Sequence, residues 1–186
     1  DDNVRAVANA CRERNIPIRI GVNSGSVEKH LLQKFGGPCP EALAESAMYH
    51  ASLLEKFDFN DIVISIKAST VPDMIAANRI VNQLCDYPLH IGVTEAGGAK
   101  MGLVKSAVGI GSLLCDGIGD TLRVSLTANP TKEIDAAKQI LSEVGIEGQR
   151  GLNIVSCPTC GRTKIDLISL SERFEAAAKK EGLMDI

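Results

Sequence analysis

Tryptophan is missing from this sequence, and two tyrosines and four phenylalanines bring the aromatic share to only 3%. A core must therefore be assembled from Ile, Val, Leu and Ala, the usual interior of parallel α/β proteins. Positive charge is not in excess. With a formal net charge of −3, the chain presents no general field for nucleic acid. No run of about 18 uninterrupted apolar residues occurs, so the sequence offers no membrane-spanning helix. No basic segment followed by an apolar one opens the chain, so no secretory leader is visible. An initiator Met is also absent. Asp1 runs directly into VRAVANACRERN, a helical pattern with no strand before it, and we expect an internal piece of a longer protein.

What remains is ordinary globular composition, 45% hydrophobic and 23% charged over 186 residues, enough to bury one core. Of six cysteines, Cys11, Cys39, Cys85 and Cys115 stand alone in apolar or helical surroundings and are expected as small buried hydrophobes. Without a secretory leader a disulfide framework is not expected. Only Cys157 and Cys160 form a motif.

A unit recurs along the chain: a short β-branched run, then a longer stretch of helical period. The runs are IPIRIGVN (16–23), DIVISIKA (61–68), PLHIGVTE (88–95), DTLRVSLT (120–127) and GLNIVSCP (151–158). Helical patterns occupy 40–57, 71–84, the glycine-rich 99–115, 130–145 and 168–180. In the last of these, Ser169 followed three residues on by Glu172 reads as a capping box. Early prolines at 72 and 130 suit first helical turns, and Gly145 suits a helix end. This alternation predicts an α/β fold with parallel strands joined by crossovers.

Strand side chains alternate between two faces. One face of the first four runs reads Ile18, Ile20, Val22; Ile62, Ile64, Ile66; Leu89, Ile91, Val93; Leu122, Val124, Leu126. The other reads Arg19, Gly21, Asn23; Val63, Ser65, Lys67; His90, Gly92, Thr94; Arg123, Ser125. A doubly wound open sheet would be apolar on both faces. A polar second face suits the inside of a closed barrel near its C-terminal strand ends. Arg19, Lys67 and Arg123 are then expected to point into one cavity. Three buried cations without counter-ions would cost several kcal/mol each, and an anionic ligand such as a phosphate or diphosphate answers that cost. Salt bridges to carboxylates from the missing half of such a barrel are the structural alternative. The fifth run carries no interior charge and is expected to open another domain.

SCPTCGR (156–162) sets two thiols three residues apart, able to face one metal or cluster, with Gly161 permitting a tight turn. Zinc needs two further ligands, and no second Cys pair is present. A thioredoxin-like pair should open a helix soon after its strand, yet RTKIDL intervenes. On spacing alone, cluster, zinc and redox disulfide stay open.

Four segments taken together, IRIGVNSGS (18–26), HIGVTEAG (90–97), GIGDTLRVSLT (117–127) and SCPTCGR (156–162), resemble the 4-hydroxy-3-methylbut-2-enyl diphosphate synthases. The resemblance extends over essentially the whole chain. It implies a partial TIM-type (β/α)8 barrel, about its C-terminal four strands, over 1–147, and the start of an α/β iron–sulfur domain over 148–186. It implies reductive opening of 2-C-methyl-D-erythritol 2,4-cyclodiphosphate and loss of a hydroxyl, giving the allylic diphosphate. It further implies a 4Fe-4S cluster on three Cys and one Glu, with ferredoxin or flavodoxin as donor. Arg19, Asn23, Lys67, Arg123 and Ser125 would bind the diphosphate. Glu95 would lie near the reacting carbons as proton donor or charge stabiliser, and Cys157 and Cys160 would be cluster ligands.

The chain departs from that pattern in two respects. The first barrel strands should precede Asp1. The third cluster Cys should fall roughly thirty residues past Cys160, followed by the ligand Glu. We therefore expect the chain alone to be inactive, with open sheet edges. Only one helix fits between Thr127 and Gly151, which resembles the two-domain bacterial type: a cytoplasmic homodimer in which one subunit's cluster domain caps its mate's barrel. Two other readings compete. Lys67 could be the Schiff-base lysine of a phosphosugar lyase or aldolase, although its place between two arginines favours a phosphate contact. The Cys pair could belong to a zinc-stabilised binding module. Glu95 could simply pair with the cations. Asp120 reads as a turn cap, His90 as either structural or substrate-facing, and His30 and His50 as surface residues. The glycines of GGAKMGLVKSAVGIG (97–111) read as close packing, because the Gly-Lys-Ser/Thr ending of a nucleotide loop is missing.

Overall fold

Each change of hydrophobic period along the chain marks a change of element. The computed structural model describes residues 2–146, 152 and 154–183. In chain order the elements are α1 (Asp2–Arg14), β1 (Ile18–Asn23), α2 (Lys29–Phe35), α3 (Pro40–Glu55), β2 (Ile62–Lys67), α4 (Val71–Leu84), β3 (His90–Ile91), α5 (Ala99–Cys115), β4 (Thr121–Leu122), α6 (Thr131–Glu143) and α7 (Leu167–Lys180). They fall into two compact units, Asp1–Ala137 and Lys138–Ile186, divided inside α6. No helix among the described residues is long and apolar enough to cross a membrane.

In the first unit all strand pairs are parallel. β1 lies beside β2 in the register Ile18↔Ile62 through Asn23↔Lys67. The Ile64 amide donates to the Pro88 carbonyl at 2.9 Å, and Ile64 bridges to Leu89. β3 then pairs with β4, His90 opposite Thr121 and Ile91 opposite Leu122. The strands thus neighbour one another in chain order, as parallel strands joined by helical crossovers should. β3 and β4 are short, but single hydrogen bonds continue the pairing beyond them: Arg123 N–H to the Ile91 carbonyl at 3.0 Å, and Thr94 N–H to the Ala68 carbonyl at 3.1 Å.

The aliphatic face is the core. Ile20, Val22, Ile62, Ile64, Ile66, Leu89, Ile91, Val93 and Val124 are buried, together with Ala42, Leu43, Ala47 and Ala51 of α3, Met74, Ala77 and Val81 of α4, and Ile110 and Leu113 of α5. Alanine-rich α3 can approach the sheet closely because few of its side chains stand proud of the backbone. α4 begins where the sequence places it. Thr70 accepts the Asp73 amide at the N-cap, and proline occupies the first turn, a position with no helical hydrogen bond to lose. The glycines of α5 do serve packing. A Cβ at Gly109 would stand 2.6 Å from Met74 Cε and 2.9 Å from Val93 Cγ2, and one at Gly102 would stand 2.6 Å from Leu126 Cδ2.

In the second unit, α7 is capped by Asp166, whose carboxylate accepts the Ser169 amide at 3.1 Å and its hydroxyl at 2.7 Å. The cap is therefore not Ser169: the aspartate three residues upstream reaches the free amide first. The expected strand at 151–158 is also corrected. Gly151 and Asn153 lie outside the described residues, while Leu152 and residues 154–158 form no strand. The four solitary cysteines are free thiols but not fully buried. Cys11, Cys39 and Cys85 are half-buried and Cys115 is exposed at the end of α5, because each falls at or near a helix end instead of in its packed stripe.

Candidate functional site

The strand pleat decides which side chains can meet. Along β1 exposure alternates, with Ile20 and Val22 buried and Arg19, Gly21 and Asn23 exposed. Register then sets Asn23 opposite Lys67 and Gly21 opposite Ser65. Across β3 and β4, His90 stands opposite Thr121, and Arg123 and Ser125 follow Thr121 on the same side by alternation. Arg19, Lys67, His90 and Arg123 therefore share one face, and they act on each other electrostatically. Burial first, then the guanidinium groups of Arg123 and Arg19, bring the Lys67 ammonium down to about 8. Burial, then Lys67, Arg19 and Arg123, pushes the His90 imidazole down to about 4, so His90 is neutral at ordinary pH.

Gly92 is what lets these groups converge. A Cβ there would stand 2.4 Å from the Arg123 carbonyl oxygen and 3.4 Å from Lys67 Cε. The Arg123 backbone and the Lys67 stem thus pass over a position that no side chain can occupy. Lys67 Nζ donates to Ser65 Oγ at 3.2 Å. Arg123 donates twice to Ser125 Oγ, from Nε at 3.0 Å and Nη2 at 2.7 Å. Asn23 Oδ1 accepts the Gly25 amide at 2.9 Å, and the Asn23 amide donates to Ser26 Oγ at 2.9 Å, which closes the loop after β1. His90 Nδ1 shares a 2.8 Å hydrogen bond with Thr121 Oγ1.

Within this chain Arg19, Asn23 and Arg123 are exposed and Lys67 is half-buried. Moreover, among the described residues none of Arg19, Lys67 and Arg123 forms an ion pair with a carboxylate. Glu95 is therefore not paired with these cations among the described residues. Glu95 instead lies exposed past β3 with φ 54°, a left-handed conformation that is strained for a residue bearing a Cβ and is seen most often at turns and functional sites. Asp120 is the expected cap, its Oδ2 accepting the Leu89 amide at 2.7 Å.

Sequence reasoning passed over two supports. Thr121 orients His90, and only strand pairing brings it there. His50 reads as a surface residue, yet its Nε2 lies 2.6 Å from Glu28 Oε1, tying the loop that follows Asn23 to α3. Glu28 and His50 belong to different elements, so no local pattern could have announced the pair.

His90 has a consequence for stability. Its folded value of about 4 lies below the unfolded 6.5, so the unfolded chain binds more protons between them. Stability fully present above 6.5 is lost as pH falls toward 4. His90→Gln, which keeps a hydrogen-bonding group toward Thr121, is expected to flatten that part of the curve in urea melts at pH 4.5, 5.5 and 7.

In the second unit Cys157 and Cys160 are both exposed free thiols. The turn closes through Thr163 N–H to the Cys160 carbonyl at 2.9 Å and Cys160 N–H to Thr163 Oγ1 at 3.1 Å. Its left-handed residue is Thr159, with φ 69°. Gly161 has open space where a Cβ would be, so glycine is not what permits the turn. Hydrogen bonding from the Arg162 backbone, then its side chain, holds the Cys160 thiol below its ordinary range, which favours the thiolate that metals bind. Among the described residues no three His, Cys, Asp or Glu side chains gather as a metal set. Two thiols on one turn fit half of a four-ligand cluster site.

Residues 1–138 match the family model described as GcpE TIM-barrel domain. Three similar curated relatives carry the name 4-hydroxy-3-methylbut-2-en-1-yl diphosphate synthase (flavodoxin). The one from Fusobacterium nucleatum is 61% identical over 175 residues, 94% of this chain and 49% of its own. That from Ruminiclostridium cellulolyticum is 57% identical over 180 residues, 97% and 51%. That from Clostridium perfringens is 56% identical over 174 residues, 94% and 50%. The chain thus spans about half the length of the curated relatives it matches.

Proposed function

This chain belongs to the GcpE TIM-barrel family, and from that premise we propose that it supplies the diphosphate-binding face and a cluster-ligating turn of an enzyme making 4-hydroxy-3-methylbut-2-en-1-yl diphosphate. The observation that carries this reading is one sheet face with Arg19, Lys67 and Arg123 converging and no carboxylate paired to them among the described residues. The substrate is 2-C-methyl-D-erythritol 2,4-cyclodiphosphate, whose phosphates supply the missing negative charge. Asn23 and Ser125 add neutral hydrogen bonds. Asn23 Oδ1 is already engaged, which leaves its NH2 to donate, and Ser125 Oγ already accepts from Arg123, which leaves its O–H to donate. Glu95 then stands beside the ring that opens, donating a proton or stabilising charge as the hydroxyl departs.

Residues 1–147 are the C-terminal half of a TIM-type barrel in this reading, and 148–186 begin the iron–sulfur domain. Cys157 and Cys160 would hold a 4Fe-4S cluster with a further Cys and a Glu from elsewhere in the full-length protein. Such a cluster supplies electrons one at a time, received from flavodoxin or ferredoxin. The protein would work as a homodimer in the bacterial cytoplasm. Full-length protein prepared without oxygen and given the cyclodiphosphate and reduced flavodoxin is expected to release the allylic diphosphate. Iron-loaded protein that leaves the cyclodiphosphate intact overturns the reading.

One observation favours a second reading. An ammonium lowered to about 8 is more nucleophilic than an ordinary lysine, as a Schiff-base lyase or aldolase requires. Borohydride trapping of a phosphosugar carbonyl onto Lys67 supports that alternative, and failure to trap removes it.

A further inference from the structure

The cationic face binds its ligand through groups of two kinds. Arg19 and Arg123 stay protonated at any pH a folded protein survives. Lys67 does not share that constancy. Its stem is confined over Gly92, 3.4 Å from where a Cβ would stand, and among the described residues its ammonium donates to the Ser65 hydroxyl. No carboxylate meets it among the described residues.

β1 contributes Arg19, and β3 contributes His90, with Glu95 exposed beyond the strand end. Arg123 follows directly on β4, while Asp120 before the strand is bound to the Leu89 amide. The helices behind the aliphatic face also carry carboxylates. Glu45 meets Lys34, Glu55 meets the Tyr87 hydroxyl, Asp73 meets Thr70, and Glu41 is exposed. Behind that face His50 pairs with Glu28, and Arg79 with Asp116. Among the described residues, the charges that act on Lys67 at this face are the guanidinium groups of Arg123 and Arg19, and Glu95 stays exposed past the strand end.

We propose that anion binding at this face is coupled to a proton, which Lys67 takes up from solution when a divalent anion seats among it, Arg19 and Arg123, while His90 remains neutral. The inference rests on the anion-binding reading given above and adds its regulation by pH. Without the anion, two guanidinium groups and burial hold the lysine near 8. A dianion beside the ammonium reverses the local charge and raises that value. His90, starting near 4, rises too but stays uncharged above pH 7. Binding should therefore weaken over a pH range in which no arginine changes, as the free protein's Lys67 loses its proton. With a free value of about 8, about nine-tenths of Lys67 is charged at pH 7 and about one-tenth at pH 9.

Sulfate is the probe, because it does not itself titrate in this range. In full-length protein its affinity is expected to fall about tenfold between pH 7 and pH 9. Lys67→Arg, permanently charged, is expected to bind sulfate with little change over the same interval. In unmodified protein at pH 8, calorimetric titration in buffers of different ionisation enthalpy is expected to show uptake of about half a proton per sulfate. Sulfate affinity that is flat with pH, or binding without proton uptake, overturns the coupling while leaving the anion site standing. No sulfate binding by folded protein at either pH overturns the anion site and the coupling with it. If Lys67→Arg does not fold, the buffer series on unmodified protein decides.

Discussion

Cys157→Ser is expected to leave anaerobically purified full-length protein nearly colourless, with turnover reduced by about a thousandfold or more, a loss of at least ~4 kcal/mol in transition-state stabilisation. Serine keeps the size of the side chain but replaces a thiol with a hydroxyl that does not ionise near neutral pH, so the ligand and not the loop is removed. The hydrogen bonds that shape the turn run between Cys160 and Thr163 and do not involve the residue 157 side chain. The first unit, whose core contains neither thiol, should melt as before. Iron content, visible absorbance and the melting curve, read on one preparation, check this. Full colour in Cys157→Ser excludes the cluster assignment. Stoichiometric zinc in place of iron, with folding lost to a chelator, points to the zinc-stabilised module.

How far the sequence could be read depended on whether a feature is local. Parity along β1 and β2 is local, so the partition of Arg19 and Lys67 from the isoleucines between them was legible from residue types alone. The span of α4 was legible for the same reason: Thr70, an early proline and an uninterrupted helical period lie within one window. The expected strand at 151–158 had β-branched residues and no more. β-propensity expresses fit to neighbouring strands, and the described residues of that segment form no strand. Gly92 looked like one more small residue on a polar face. Its role depends on the Arg123 carbonyl, which lies thirty-one positions away and arrives only when β3 and β4 pair. Parity likewise tells which side a residue faces but not what lies across from it. Within this chain Arg19 and Arg123 are exposed on that face and Lys67 is half-buried.

That difference makes Lys67 the most informative single substitution in the first unit. Lys67→Met is expected to move stability and binding in opposite directions. The folded value of about 8 lies below the unfolded 10.5, so the unfolded chain holds more protons between them. The stability contribution is complete above 10.5 and is lost as pH falls through 8, which places the whole penalty on the protein at neutral pH. The full shift would correspond to about 3 kcal/mol, and solvent screening of a half-buried group reduces it to about 1–2 kcal/mol. Methionine fills the stem's path over Gly92 without the charge. Urea melts at pH 7 should therefore show Lys67→Met more stable than the parent, with the rise in parental stability between pH 8 and 10.5 absent from the variant. Sulfate or pyrophosphate affinity at pH 7 should fall by at least about 30-fold, because removing one partner of a charge-assisted contact costs roughly 2–5 kcal/mol. A variant less stable than the parent would mean that Lys67 is satisfied without ligand by a carboxylate outside the described residues. In that case Arg19 and Arg123 alone must account for whatever anion the face holds.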